Sequence, residues 1–148
     1  MNLNNYTIRI MTIDDYDAVM ALLQKTIGVT LREADSRAST LRHLERNAGH
    51  SFVAEVNGNI IGCVMGVHDG RRGYLQHLAV DKHYRRCGIG TVLVNQSVTS
   101  LKQVGIYKVH IFVLNDNNDA QLFWAKRNWK MRTDIALFSF YEENHENV

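Results

Sequence analysis

The sequence predicts an α/β fold, a mixed and twisted β-sheet with helices on both faces, on three observations. Strand-like and helix-like apolar runs alternate along the chain. Asn57-Gly58 separates two apolar runs in the manner of a tight hairpin. The segment Tyr84-Arg85-Arg86-Cys87-Gly88-Ile89-Gly90-Thr91 joins a strand-like run to a helix-like one and carries both glycine and arginine.

Each element has its own signal. Tyr6 to Met11 alternates as a first strand. Thr12 then caps a helix with Asp14 and Asp15 in its first turn and with Ile13, Tyr16, Val19, Met20, Leu23 and Ile27 on one apolar face; Gly28 ends it. A second helix begins at Asp35 or Ser36, turns Ala38, Leu41, Leu44 and Ala48 inward, and stops at Gly49. Phe52 to Val56 and Asn59 to Gly66 flank the Asn57-Gly58 turn, and Tyr74 to Val80 follows as a half-buried strand. Ile89, Val92, Leu93, Leu101 and Val104 recur at helical spacing up to Gly105. Lys108 to Val113 is a strand, Asn115 to Arg127 a helix, and Lys130 to Thr133 with Ala136 to Phe140 are closing strands. The predicted order is β-α-α-β-β-β-α-β-α-β-β.

A chain of 148 residues suits one domain, here residues 1–148. With 45% apolar and 22% charged residues the composition is globular and not that of a disordered chain. A formal charge of +2 is too balanced for a nucleic-acid partner. Cys63 and Cys87 stand far apart without ligand spacing, so neither a metal site nor a disulfide framework is expected. No apolar run approaches a membrane span, and the expected location is a reducing cytoplasm, as monomer or homodimer.

The arginine–glycine segment has a chemical reading. A helix N-terminus offers unpaired N–H groups and partial positive charge, glycine lets backbone approach a ligand, and arginine adds fixed charge for phosphate oxygens. The spacing Arg85-x-x-Gly88-x-Gly90 resembles the acyl-coenzyme-A signature of the GNAT superfamily of N-acetyltransferases. A second stretch, Asn117-Asn118-Asp119-Ala120-Gln121-Leu122-Phe123-Trp124-Ala125-Lys126-Arg127-Asn128-Trp129, resembles the segment with which that superfamily closes its coenzyme site. Asn117, Ala120 and Phe123 match, whereas Trp124, Asn128 and Trp129 replace the usual tyrosine, glycine and phenylalanine. The predicted element order is also that of the superfamily.

The resemblance implies a sheet whose two central parallel strands splay apart to admit acetyl-CoA as co-substrate. It places pantetheine on the backbone of Leu78, Ala79 and Val80, and pyrophosphate on Arg85, Arg86, Cys87, Gly88, Ile89, Gly90 and Thr91. Asn117, Ala120, Phe123 and Trp124 border the far side, with Cys87 a loop filler. The implied reaction is direct attack of a primary amine, of a small molecule or of a peptide or protein, on the acetyl thioester. A lysine ammonium has a pKa of ~10.4 and an α-ammonium ~8, so a group must take up a proton near neutrality.

Strand alternation with the resemblance sets Tyr74 and Gln76 toward the acceptor; they and Asp69 are the candidate catalytic residues. His77 is expected on the opposite face as a structural histidine. Tyr16, Thr26 to Arg37 and Asp69 to Tyr74 are expected to line the acceptor mouth. Trp124 cannot deliver a proton at neutral pH as a tyrosine can, which leaves a non-catalytic acyl-CoA-binding or interaction domain of the same fold as the alternative function.

Overall fold

The computed structural model describes residues 5–145. The chain divides into two compact units, residues 1–111 and 112–148. The first unit holds a five-stranded sheet in the order β1-β2-β3-β4-β5: β1 Thr7–Ile10, β2 Phe52–Val56, β3 Asn59–His68, β4 Gly73–Val80 and β5 Val109–Ile111. β1 to β4 are antiparallel neighbours, and β5 lies parallel to β4. Asn57 (φ 49°) and Gly58 (φ 80°) both take the left-handed conformation that a two-residue turn between β2 and β3 demands.

The helices α1 (Tyr16–Gln24) and α3 (Ile89–Lys102) cover opposite faces. Cys63 belongs to the core that α1 closes, with Met11, Val19, Met20, Leu22, Leu23, Val53, Met65 and Ala79. A side chain at neighbouring Gly62 would meet Leu93 of α3, and successive strand residues point to opposite faces. Burying each large aliphatic side chain of this set contributes roughly 1.5–3 kcal/mol. Four residues on, Gly66 packs so tightly under α3 that a Cβ would overlap the His50 carbonyl and Ser97 Oγ.

Two helices differ from expectation. Ahead of α1 a short 3-10 turn, Ile13–Asp15, absorbs the first predicted turn. α1 itself stops at Gln24, leaving Ile27 88% exposed. In α2 (Arg37–Arg46), capped by Ser36 through the Ser39 amide at 3.2 Å, the inward side is not the apolar stripe. Ala38, Leu41 and Ala48 are exposed; Thr40 and Asn47 are buried, and only Leu44 of the expected set is half-buried. Polar residues take those inward places because they have partners there: Asn47 Oδ1 accepts the His68 amide at 3.0 Å.

β4 and β5 pair only at Gly73–Val109, Tyr74–His110 and Leu75–Ile111, while β4 continues to Val80. This is the expected splay, and it opens at Gln76.

The second unit contains α4, Asn118–Lys126. Asn128 follows it at φ 65°, a left-handed position that glycine or asparagine suits, and the Asn128 and Trp129 amides close the end on the carbonyls of Ala125 (3.0 Å) and Trp124 (3.1 Å). The predicted strands at 130–133 and 136–140 do not form among the described residues. Met131, Leu137, Phe138 and Phe140 are 72–93% exposed. Alternating apolar residues favour a strand only when a neighbouring ladder and a buried face receive them, and here neither does. No helix among the described residues is long and apolar enough to cross a membrane.

Candidate active site

Strand register decides which β4 side chains share a face. Gln76 lies opposite Met65 and Ala79 opposite Cys63. Met65 and Cys63 both belong to the α1 core, so the α1 face is served by an even-numbered residue and then by an odd-numbered one. One extra residue, a β-bulge, intervenes, and His77 sits in it at φ 52°. Tyr74, opposite Val67, and Gln76 therefore share one face, that of α1. His77 does not turn away as strict alternation requires. Its Nε2 lies 2.6 Å from Oδ1 of Asp35, in the 3-10 turn Glu33–Asp35 that precedes α2.

Asp35 is held from several sides. Its Oδ2 accepts the Arg32 amide at 2.8 Å, and its carbonyl accepts the hydroxyl of Tyr16, the first residue of α1, at 2.6 Å. Next to this group His43 buries Nε2 without a hydrogen-bond partner among the described residues, and burial with nearby His77 holds its pKa below the ordinary histidine value. No motif marks the Asp35–His77 pair in the sequence, since the two residues stand 42 apart and meet only because of the bulge. Tyr74 stacks obliquely on His110 of β5, ring centroids 5.6 Å apart, and Gln76 is exposed.

Asp69 has a turn-forming role. Its Oδ1 accepts the amides of Arg71 and Arg72, both at 2.8 Å, in the fully exposed β3–β4 connection where Gly70 has φ 92°. Those two amides, Arg72 first, hold its carboxyl below the usual range, which makes it a weaker proton acceptor.

Leu78, Ala79 and Val80 occupy the part of β4 that runs on beyond β5. From there Asp81 caps a 3-10 turn, Lys82–Tyr84, through the His83 amide at 2.9 Å, and Lys25 of the stretch after α1 pairs with Asp81 at 3.3 Å. Arg85 Nε donates to the Val80 carbonyl at 3.1 Å, and Cys87 Sγ to the Arg85 carbonyl at 3.2 Å. Arg86 (φ 62°) and Gly88 (φ 80°) turn the chain sharply into α3. The first helical bond is Val92 N to Gly88 O at 3.1 Å, and no backbone carbonyl among the described residues accepts the amides from Arg86 to Gly90. Nothing lies within 4 Å of the place a Gly88 Cβ would occupy. The unused N–H groups from Arg86 to Gly90, exposed Arg85 and Arg86, and the positive end of a 14-residue helix make an anion cradle.

In the second unit, Asn117 Oδ1 accepts the Ala120 amide at 3.1 Å and so caps α4. Trp124 is buried against Phe123 (centroids 5.1 Å, edge-on) and Trp129 (4.6 Å), and the Arg127 guanidinium lies 3.5 Å above the Phe123 ring. Each of these residues thus has a packing or capping role within its own unit. Among the described residues no cluster of His, Cys, Asp or Glu is arranged to hold a metal. Cys63 is fully buried, its thiol pushed up to about 12, and is no nucleophile.

The family model for acetyltransferases of the GNAT family matches residues 16–129. An acetyltransferase of Pectobacterium atrosepticum is 35% identical over 139 residues, covering 94% of this chain and 98% of that protein. One of Yersinia pseudotuberculosis is 32% identical over 130 residues, 88% of this chain and 92% of its own length. Among solved structures, Ard1 from Thermoplasma volcanium superposes with a TM-score of 0.77 at 22% identity, over 87% of this chain and 85% of that one. PaiA N-acetyltransferase from Thermoplasma acidophilum, in complex with coenzyme A, gives 0.72 at 18% identity, over 82% and 87%. Sequence relatives, fold and the arginine–glycine loop agree: the chain belongs to the GNAT family and is an acetyl-CoA-dependent N-acetyltransferase.

Proposed function

We propose that residues 1–148 act as one domain that moves the acetyl group of acetyl-CoA to a primary amine by direct attack. The observation that carries this is the loop from Arg85 to Gly90, whose amides the helix leaves unused and whose arginines supply fixed charge for a pyrophosphate. Leu78 to Val80 offer the pantetheine arm peptide groups that β5 does not take. We also assign Asn117, Ala120, Phe123 and Trp124 to coenzyme binding on the family resemblance, with Trp124 as a wall.

Tyr74 and Gln76 face the acceptor in this reading, and Thr26 to Arg37 form its rim. The rim mixes Arg32 and Arg37 with Glu33 and Asp35, which suits an amine that also bears a carboxylate, phosphate or peptide group. One structural neighbour is a ribosomal-protein-S18-alanine N-acetyltransferase from Escherichia coli and another an aminoglycoside acetyltransferase, so the panel of acceptors to be tried includes peptide N-termini and aminoglycosides beside polyamines and amino acids. Coenzyme A leaves as a thiolate, a group of pKa ~8.5 that departs without prior protonation. Two free cysteines suit a reducing cytoplasm.

The test has two parts. Acetyl-CoA at ~100 times its dissociation constant stabilises the native state by ~2.7 kcal/mol, a rise of several degrees in Tm, and Gly90→Glu abolishes the rise. Thiol release across the amine panel then separates turnover from mere binding. No Tm rise in the wild-type protein removes the coenzyme reading; a rise without release from any amine favours a binding domain.

A further inference from the structure

His77 is the one residue of β4 at which backbone and side chain both depart from the strand. Its φ of 52° is a left-handed value that costs any residue but glycine, and such positions persist where the surroundings enforce them. Two contacts enforce it: Cys63 Sγ donates to its carbonyl at 3.2 Å, and Asp35 holds its ring at 2.6 Å. The bulge lies two residues beyond the last β4–β5 pair, where the sheet has just opened.

The hydrogen bond also fixes the tautomer. Asp35 Oδ2 already accepts the Arg32 amide, and a carboxylate offers only lone pairs, so the ring nitrogen facing Oδ1 carries the hydrogen. Nδ1 is then the bare nitrogen, and no group among the described residues hydrogen-bonds it. The side chain is 21% exposed and that of Asp35 14%, enough for a small group to reach the ring while the carboxylate stays largely shielded. The other groups around the pair are His43 from α2, which burial and His77 keep neutral, the Tyr16 hydroxyl on the Asp35 carbonyl, the Cys63 thiol, and Arg37, whose guanidinium lies 5.8 Å above the Tyr16 ring.

We propose that His77 Nδ1 is the proton acceptor of the acetyl transfer, with Asp35 as its positioning residue. The proposal rests on the direct-attack reading given above. As the amine nitrogen bonds to the thioester carbon, its surplus proton passes to Nδ1. The C–S bond breaks, the electron pair leaves with sulfur, and the imidazolium, balanced by the Asp35 carboxylate, returns its proton to the thiolate or to water. A carboxylate on Nε2 keeps the ring from rotating and faces the charge that the ring gains, as in other carboxylate–histidine pairs used for proton transfer.

The experiment uses the full-length protein and two readouts. In 15N-histidine spectra at neutral pH, assigned by loss of one ring in His77→Gln, Nε2 of His77 carries the hydrogen and Nδ1 is the bare nitrogen. A ring protonated on Nδ1 overturns the proposal whatever the acceptor proves to be. In thiol release with acetyl-CoA and the amine returned by the panel, His77→Gln, which still donates to Asp35, loses ~10²–10⁴-fold in kcat and keeps its coenzyme KM within a few fold. Asp35→Asn, which leaves the ring without a carboxylate, also loses kcat at unchanged coenzyme KM. If both variants keep the wild-type kcat and differ only in Tm, His77 is a structural pin and the proposal falls. A wild-type protein without a coenzyme-induced Tm rise indicts the coenzyme reading and leaves the spectroscopic result standing.

Discussion

The Cys63 thiol donates a hydrogen bond to the carbonyl oxygen of His77, 3.2 Å away on the adjoining strand, and so holds the residue at which β4 abandons its alternation. A buried thiol that is also a donor explains why a cysteine, and not another small apolar residue, fills this core position. Cys63→Ala removes that donor and leaves a small void. We expect a loss of roughly 1–2 kcal/mol in urea unfolding, with Cys63→Ser costing no less because its hydroxyl enters an apolar cluster.

Gly66 is predicted to tolerate no side chain. Gly66→Ala forces its Cβ against the His50 carbonyl and Ser97 Oγ, which themselves share a 2.7 Å hydrogen bond. The expected cost is about 1–3 kcal/mol, seen as a lower denaturant midpoint at unchanged slope. A neutral substitution would mean that α3 moves freely over β3.

Stability is predicted to fall on mild acidification. Burial lowers the pKa of His43, with His77 adding to it, and burial followed by His68 lowers that of His50. Their folded values lie below the unfolded ~6.5, so the unfolded chain binds more protons in between. The stabilisation these neutral rings give is complete above pH ~6.5 and is lost as pH falls toward their folded values. Urea unfolding at pH 7.5 and 5.5 measures it, and His43→Gln should flatten the difference. An unchanged difference in that variant would assign the effect elsewhere.

A second acid transition belongs to the first strand. Arg9 grips Asp15 through both terminal guanidinium nitrogens at 2.7 and 2.8 Å and reaches Glu55 at 2.8 Å, while Asp15 also accepts the Thr12 amide at 2.9 Å. These contacts, the Arg9 hydrogen bond foremost, lower the Asp15 pKa. Its contribution is full above the unfolded carboxylate value of ~3.9 and is lost progressively as pH falls from there toward the lowered folded value. Asp15→Asn is expected to cost roughly 1–3 kcal/mol at pH 7 and progressively less as the pH is taken below ~3.9.

At the coenzyme end, Trp124→Phe should keep most activity if the indole is a wall, since ring volume shrinks but no transferable proton is lost. Tyr74→Ala and Gln76→Ala should lower kcat while the acetyl-CoA dissociation constant stays within a few fold. A Trp124→Phe variant more than a hundredfold slower at unchanged Tm would require a direct indole N–H contact in the transition state.

Much of this was legible because single residues enforced it. Asn57-Gly58, Gly88 and Gly105 all adopt positive φ where the sequence puts a turn or a helix end. The β4 bulge was not legible, since an inserted residue leaves the pattern Tyr74-Leu75-Gln76-His77-Leu78-Ala79 looking like plain alternation; only the pairing with Cys63 and Met65 exposes it. The inward side of α2 escaped for a related reason: Asn47 is buried by virtue of a distant partner, the His68 amide, and Thr40 turns its hydroxyl to the Asp35 carbonyl, contacts that apolar periodicity cannot see. The run from 130 to 140 shows the converse, a good strand pattern that forms no strand among the described residues.

The early parting of β4 from β5 gives one strand two characters. Residues 73–75 are interior, laddered on both sides, whereas residues 76–80 form an edge in the middle of a sheet. An edge invites whatever can supply a matching row of donors and acceptors, including another polypeptide. An amide-bearing ligand seated there would convert the edge into interior strand, so the ligand-free protein should be the form more prone to self-association, and the amides of residues 76–80 the ones whose hydrogen exchange slows most when acetyl-CoA is added.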